Sequence, residues 1–179
     1  VSSFILLRYL NSRRIHTDIA DKYLKEVRYQ LGDKIYYALG FKNDSGGYEL
    51  RNEKFKGGSS PKDSTFIDNG AKELVTFEGF FNFLSYQTMY YKQQQPERNF
   101  LILNSTSFFE KNLPRMQEHD RVHLYLDNDK TGQKCTQKAL ALDNQKFKDE
   151  RSLYRQYGDL NDWLINIGTA NKQQLRQKL

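Results

Sequence analysis

The stretch Arg121-Val-His-Leu-Tyr-Leu-Asp-Asn-Asp-Lys-Thr-Gly-Gln-Lys134 decides the fold. Its first six residues form a β-prone apolar run that predicts a strand, and a helix is expected from the turn after it to about Leu142. Two carboxylates, Asp127 and Asp129, lie in the turn between them. In an open α/β sheet, functional groups gather beyond the carboxyl ends of the strands. The stretch therefore predicts both an α/β sheet and a candidate site at its edge.

The residues on either side continue the same alternation of strand and helix. Glu78-Gly79 follows the first strand of the series, so Glu78 is expected at the same sheet edge as the two aspartates. Strands separated by helices predict a parallel sheet covered on both faces, over residues 71–168. The predicted elements are strands at 73–77, 100–103 and 121–126, helices at 80–91 and 107–118, and a last βα-like piece at 147–167.

Residues 1–70 have a different pattern, which predicts a small α+β subdomain in front of that sheet. A helical hairpin is expected first, with its second helix starting at Thr17, running to about Gln30 and broken at Gly32-Asp33. A β-hairpin of strands 34–41 and 48–51 follows, and then a polar loop at 56–63. The last residues, 169–179, predict a basic tail.

Composition narrows the class of protein. The chain of 179 residues has no apolar run long enough to span a membrane, so no membrane partner is predicted. Its single cysteine, Cys135, excludes a disulfide framework and a cysteine-held zinc site within these residues and fits a cytoplasmic location. A first residue of valine predicts a fragment of a longer protein. The net charge of +6 suits a polyanionic substrate and equally suits ordinary solubilising charge.

The acidic turns predict a metal site. Three carboxylates, from Glu78, Asp127 and Asp129, would repel one another at one sheet edge unless a divalent cation neutralised them, and hard oxygen ligands suit Mg²⁺. Gly79 and Gly132 are expected to let the backbone turn sharply into the following helices. Each acidic group alone is a weak signal, because a lone Glu-Gly after a strand is more often a capped turn than a ligand. An Asp-x-Asp is a better signal, yet many such pairs only cap the next helix.

Two rival interpretations of the aspartate turn are weaker. An EF-hand loop needs a bidentate glutamate at its twelfth position, where this chain has Lys138. A haloacid-dehalogenase-type phosphatase has the same Asp-x-Asp-x-Thr opening. It also needs a lysine and a further acidic pair well downstream, and only 47 residues follow Gly132.

The two acidic turns together resemble the TOPRIM domain of primases, topoisomerases and related nucleases. The order is strand, Glu78-Gly79 and helix, and then, 49 residues after Glu78, strand, Asp127-x-Asp129-x-x-Gly132 and helix. Gly158-Asp-Leu-Asn-Asp-Trp-Leu164 is similar to the element that closes this domain in primases, and Lys56-Gly-Gly-Ser-Ser-Pro61 to their basic loop. Over residues 5–168 the chain resembles compact primases of mobile elements in Bacteroidetes-type bacteria.

The resemblance implies a DNA primase that makes short RNA primers on single-stranded DNA from nucleoside triphosphates. Glu78, Asp127 and Asp129 would be the catalytic residues and would hold Mg²⁺ or Mn²⁺, with Asp159 and Asp162 at the edge of the cluster. Arg51, Lys54, Lys56 and Lys62 would bind nucleic acid. A zinc module upstream of Val1, a replicative helicase or other mobile-element replication proteins as partners, and a bacterial cytoplasmic location are also implied.

The chain departs from the primase pattern at three positions. Asn82 stands where the pattern has an aspartate, and Gly57 and Ser59 replace a tyrosine and an asparagine of the basic loop. Two alternatives therefore stay open. A TOPRIM nuclease would need a nucleophile or general base near Glu78, and a non-catalytic DNA-binding module would keep only the basic surface.

Overall fold

Two β-sheets and the helices packed on them make up residues 1–167, the part of the chain that this computed structural model describes. The predicted tail at 169–179 lies outside the described residues. The first sheet is antiparallel, in the order β1 (Lys25–Leu31), β2 (Lys34–Lys42), β3 (Tyr48–Arg51) and β4 (Lys56–Gly58). The second has the order β5 (Thr65–Ile67), β7 (Asn99–Ile102), β6 (Glu73–Phe77), β8 (Arg121–Tyr125) and β9 (Phe147–Asp149). Each sheet corresponds to one of the two regions that the sequence distinguishes.

The N-terminal region contains two helices and the four-stranded sheet. Helix α1 buries Leu6 and Leu10, which lie on one face because they are four residues apart. Strand β2 is buried from Ala38 to Phe41, where it passes beneath the helices. The elements are α1 (Phe4–Ser12), α2 (Thr17–Tyr23), β1 (Lys25–Leu31), β2 (Lys34–Lys42), β3 (Tyr48–Arg51) and β4 (Lys56–Gly58).

The predicted second helix is wrong beyond Tyr23. Residues Lys25–Leu31 form strand β1, which pairs with β2 over seven residue pairs. Gly32, with φ of +59°, and Asp33 form the two-residue turn between the strands, so this dipeptide is a hairpin turn rather than a helix stop. The pairing gives the backbone of the whole segment hydrogen-bond partners in β2. This stabilises the strand more than the helical spacing of the apolar residues stabilises a helix. The predicted polar loop also begins with a short strand, Lys56–Gly58.

The C-terminal region is the predicted α/β sheet, and its fold class is confirmed. Strands β7, β6, β8 and β9 are parallel, and β5 pairs antiparallel with β7. The predicted boundary at residues 70 and 71 stays a prediction, and β5 lies on its N-terminal side. The elements are β5 (Thr65–Ile67), β6 (Glu73–Phe77), α3 (Phe80–Met89), β7 (Asn99–Ile102), α4 (Phe109–Gln117), β8 (Arg121–Tyr125), α5 (Lys130–Leu142), β9 (Phe147–Asp149) and a helical segment, 160–167.

A shared core fixes the two regions to each other. Helix α3 packs on one face of the second sheet, and its other neighbours in that core are α1, α2 and β2. The rings of Phe41 from β2 and Phe80 from α3 stack with centroids 5.3 Å apart. Helices α4 and α5 cover the opposite face. The packing therefore places the N-terminal sheet beside the start of α3, next to the carboxyl edge of β6. None of the helices within residues 1–167 is long and apolar enough to cross a membrane.

Candidate active site

Two carboxylates meet where β6 and β8 end. These strands are parallel neighbours, with Phe77 opposite Tyr125 in register. Glu78 follows the first strand directly, and Asp127 lies two residues beyond the second. The backbone N–H of Asp127 donates to Oε2 of Glu78 at 3.3 Å. The structure therefore brings together two of the three carboxylates that the sequence selects.

The surroundings of Glu78 and Asp127 disfavour the ionised form of both carboxyl groups. Burial, followed by the charges of Glu78 and Asp159, raises the pKa of Asp127 to about 7. Burial also raises the pKa of Glu78, against the hydrogen bond from Asp127 and the nearby charge of Lys56. Near neutral pH the carboxyl group of Asp127 is thus partly protonated. Positive charge placed beside it would favour its ionised form.

Asp129 has a different environment only two residues away. It is exposed and forms the N-cap of α5, where its Oδ1 accepts from the N–H of Gly132 at 2.8 Å and from the hydroxyl of Thr131 at 2.7 Å. These bonds lower its pKa, so it stays ionised. The capping interpretation of the aspartate turn therefore applies to Asp129, and one of its carboxylate oxygens is already engaged.

Asp159 and Asp162 cap the helical segment 160–167. Oδ1 of Asp159 accepts from the N–H of Asp162 at 2.7 Å, and Oδ2 of Asp162 accepts from the N–H of Gly158 at 3.3 Å. The charge of Asp159 acts on both Glu78 and Asp127. Asp159 thus belongs electrostatically to the acidic pair, whereas the contacts of Asp162 are those of a helix cap.

Two buried asparagines form a hydrogen-bond network that ends on Asp127, and no local sequence pattern predicts it. Nδ2 of Asn82 donates to Oδ1 of Asp127 at 2.8 Å, and the N–H of Asn161 donates to Oδ1 of Asn82 at 3.2 Å. Nδ2 of Asn161 in turn donates to Ser85 Oγ and to the carbonyl oxygen of Arg13. Both asparagines are buried. An amide at position 82 can donate to Asp127, which an ionised aspartate cannot do.

The two glycines of the site do not act as predicted. Gly79 has φ of −132° and ψ of 160°, an extended conformation open to any residue, and a Cβ there would meet nothing within 4 Å. Gly79 and Asp127 line the same cavity, described below. At Gly132 a Cβ would lie 2.2 Å from the carbonyl oxygen of Asp127, so glycine is required there by close packing rather than by a turn.

A cavity of about 420 Å³ opens beside Asp127 of the acidic pair. Its acidic side includes Asp127 and Asp159, and the start of α3 forms its floor. Glu53 also lines it, together with four cations from the end of α1 and from the β3–β4 hairpin. These are Arg13, Arg51, Lys54 and Lys56.

Three of the four predicted nucleic-acid-binding residues therefore line the cavity. The fourth, Lys62, lies outside this lining, and its Nζ pairs with Oε1 of the buried Glu49 at 2.9 Å. Arg13 was not predicted, although it directly follows α1, and its guanidinium lies over the ring of Phe81 at 5.0 Å from the centroid.

The donor chemistry suits a hard divalent cation, although no closed metal cage is preformed. Over residues 1–167 no three His, Cys, Asp or Glu side chains are grouped so that they could hold a metal ion. Mg²⁺ does not need such a cage, since it keeps several waters and binds through one or two carboxylates plus substrate phosphates. Glu78 and Asp127 supply that number of carboxylates beside an open cavity.

Comparison with known proteins decides the family. The profile of the family described as Toprim-like matches residues 75–164, half of the chain. The chain belongs to the Toprim-like family. Residues 1–60 match a second family, described as a domain of unknown function (DUF8464). No curated protein matches the chain in sequence at a significant level.

Solved structures of primases share the fold of this TOPRIM protein. The primase fragment of the bacteriophage T7 primase-helicase protein matches with a TM-score of 0.61 and 16% identity, over 98% of this chain and 73% of its own. The Aquifex aeolicus primase, with its zinc-binding and RNA polymerase domains, matches with a TM-score of 0.61 and 13% identity, over 99% of this chain and 56% of its own.

A third match comes from a bacteriophage T7 complex in which the lagging-strand DNA polymerase interacts with primase domains of two gp4 subunits bound to an RNA/DNA hybrid and dTTP. It has a TM-score of 0.55 and 19% identity, over 78% of this chain and 76% of the other. The resemblance to a TOPRIM primase-like protein is thereby confirmed. At these identities the likeness concerns the fold.

Proposed function

We propose that this TOPRIM protein is a DNA primase-type nucleotidyltransferase that joins nucleotides into short RNA primers on single-stranded DNA. The observation that carries the proposal is the cavity in which Asp127, paired with Glu78, faces Arg13, Arg51, Lys54 and Lys56. Phosphoryl transfer requires carboxylates for divalent cations together with positive charge for phosphates. This cavity offers both across a space that a nucleotide can enter.

Each side chain has a definite task in this proposal. Glu78 and Asp127 would hold Mg²⁺ or Mn²⁺, with Asp129 and Asp159 adding negative charge nearby. The bound cation neutralises charge on the reacting phosphate. Arg13 and Arg51 would bind nucleotide phosphates, whereas the more exposed Lys54 and Lys56 would contact the nucleic-acid backbone. Asn82 would keep Oδ1 of Asp127 in one orientation.

The remaining parts of the proposal follow the primase fold. Single-stranded DNA and nucleoside triphosphates would be the substrates, and a replicative helicase or other replication proteins of a mobile element would be the partners. A bacterial cytoplasmic location and a zinc module elsewhere in the full protein complete it. In the T7 complex, the matched primase domains bind an RNA/DNA hybrid and dTTP.

Strand cleavage is the second candidate, because a tyrosine lines the cavity. Tyr9 lies in the lining with Arg13 and Arg51. Burial raises its pKa above the ordinary value, and the two arginines only partly oppose this. A phenol that stays protonated is a poor nucleophile. Tyr9 would therefore need a general base beside it to attack a DNA strand.

The test is primer synthesis by the whole chain with labelled ribonucleotides, single-stranded DNA, and Mg²⁺ or Mn²⁺. Short labelled products are expected from the unmodified chain. Asp127→Asn should reduce them by at least a hundredfold, because it removes a ligand charge while keeping the size of the side chain. Asp120→Asn is the matched control, since it makes the same change at the opposite end of β8.

Each result has a clear meaning. Equal synthesis by Asp127→Asn and the unmodified chain would contradict the catalytic assignment. A shortened template without new products, lost in Tyr9→Phe, would replace synthesis with strand cleavage. DNA binding without products under either metal would leave a binding module as the function.

A further inference from the structure

A second cleft, rich in aromatic side chains, adjoins the catalytic cavity. Its volume is about 450 Å³, and it lies between α1, the β1–β2 hairpin and the turn that joins β3 to β4. Its lining includes Ile5, Arg8, Tyr29, Tyr36, Lys54 and Phe55. None of these rings is among the side chains proposed above to bind metal, phosphate or the nucleic-acid backbone.

The rings form a stacked row outside the core. Tyr29 and Tyr36 are opposite each other in the β1–β2 register, and their rings stack with centroids 5.5 Å apart and planes 21° apart. The ring of Phe55 approaches Tyr29 at the same centroid distance, tilted by 32°. None of the three belongs to a hydrophobic core cluster of residues 1–167. Aromatic surface left outside the core marks an interaction site.

The cleft adjoins the catalytic cavity. Asn52, Glu53, Lys54 and Phe55 line both spaces, so the turn 52–55 separates them as a shared wall. Arg8 and Lys54 add positive charge beside the rings, and Arg8 pairs with the equally exposed Glu53 at 3.2 Å. An exposed pair of this kind exchanges readily for a phosphate, because it contributes little free energy.

We propose that this cleft binds unpaired bases of single-stranded DNA by stacking them on Tyr29, Tyr36 and Phe55. Flat aromatic faces flanked by cations are the surface on which single-stranded nucleic acids stack, and every base has a face to offer. A strand whose bases occupy the cleft would continue across Lys54 into the catalytic cavity. The inference rests on the proposed function, since it names where the template of that reaction is held.

The experiment compares two labelled strands of equal length by fluorescence anisotropy with the whole chain. One is oligothymidylate, and the other is an abasic deoxyribose-phosphate strand with the same charge. The unmodified chain should bind oligothymidylate more tightly. The double variant Tyr29→Ala/Tyr36→Ala should weaken that binding roughly 5- to 100-fold, the range for removing a stacking ring, and leave binding of the abasic strand unchanged.

Two control variants separate stacking from a general loss of structure. Tyr29→Phe/Tyr36→Phe keeps the rings and should bind oligothymidylate like the unmodified chain. Phe4→Ala removes a more exposed ring of α1 that is not part of the cleft lining, and it should also leave binding unchanged. These variants keep the test valid even if the double alanine variant fails to fold, since loss of binding in the phenylalanine variant would contradict stacking.

The remaining outcomes overturn the proposal. Equal affinity of the unmodified chain for the two strands, or no DNA binding at all, would do so. Full binding by the folded double alanine variant would also do so, and it would leave a protein as the occupant of the cleft. A chain that binds bases through these rings but makes no primers would contradict the proposed function and support base binding in the cleft. Primer synthesis without base-dependent binding would support the proposed function and contradict base binding in the cleft.

Discussion

The acidic and basic residues around the cavity beside Asp127 are held in different ways. The acidic wall consists of Asp127 and Asp159, which line the cavity, and of Glu78, which accepts a hydrogen bond from the N–H of Asp127. Its residues follow the ends of strands or cap a helix, and Asp127 is held by the buried Asn82. The basic wall, Arg51, Lys54 and Lys56, projects from the edge of the N-terminal sheet, and its two lysines are exposed. A wall held by buried hydrogen bonds suits a reaction centre in which single atoms must be placed, whereas an exposed wall suits a polymer that moves past. Substitutions should therefore have large, specific effects on the acidic wall and small effects on the basic wall.

The largest expected effect on stability comes from the charge of Asp127. Its pKa of about 7 in the folded protein lies above its ordinary value of 3.8. As the pH rises above about 4, the unfolded chain therefore loses this proton before the folded protein does, and stability falls until the pH passes about 7. Asp127→Asn removes this loss. The variant should match the unmodified protein near pH 4 and exceed it at pH 8, by on the order of a few kcal/mol.

The measurement is urea unfolding of both proteins at pH 4, 5 and 8 in metal-free buffer. Asp129→Asn is the control with the opposite sign, because the pKa of Asp129 is lowered and its ionised form stabilises the folded state. That variant should be no more stable than the unmodified protein at pH 8. If the difference in free energy of unfolding between Asp127→Asn and the unmodified protein does not change with pH, burial does not raise the pKa of Asp127.

The next largest effect is expected at Asn82, which joins the acidic wall to the core. Asn82→Ala leaves Oδ1 of Asp127 and the N–H of Asn161 without these partners. Leaving a buried polar group unsatisfied costs about 1–3 kcal/mol, so the variant should unfold at lower urea concentration. Asn82→Asp should be destabilised at pH 8, where two carboxylates face each other, and should recover at pH 5, where one of them can carry a proton and donate.

Urea unfolding and primer synthesis of the two Asn82 variants test this link. Asn144→Ala, a substitution of an exposed asparagine, is the control for a general effect of losing an amide. A fully stable Asn82→Ala would break the contrast between the two walls, since the acidic wall would then stand without its support from the core.

The sequence predicted the acidic wall better than its support, for physical reasons. Strand and helix periods over residues 71–167 are strong, and parallel strands bring their carboxyl ends to one edge, so Glu78 and Asp127 could be placed together. The bond from Asn161 to Asn82 joins residues 79 positions apart and depends on how the last helical segment packs. No local pattern contains that information. Strand β1 was missed because Ile19, Tyr23 and Val27 recur at helical spacing, although the hairpin turn at Gly32-Asp33 was a usable signal.

The smallest expected effects belong to the basic wall, where Lys56 and Lys62 form a matched pair. Both lysines are exposed, but only Lys56 lines the cavity, whereas Lys62 pairs with the buried Glu49. Lys56→Gln should weaken binding of single-stranded DNA about two- to fivefold and lower the slope of log affinity against log salt by about 0.7, the loss of one backbone contact. Lys62→Gln should leave both unchanged and instead cost about 1 kcal/mol of stability, because Glu49 loses its partner.

Anisotropy titrations at several salt concentrations, together with urea unfolding, separate these two outcomes. An equal fall in salt slope for both variants would mean that DNA contacts the N-terminal hairpin surface both inside and outside the cavity. A fall for Lys56→Gln alone would show that a single exposed cation is selected by its place opposite Glu78 and Asp127. The basic wall would then be specific in position even though each of its contacts is weak.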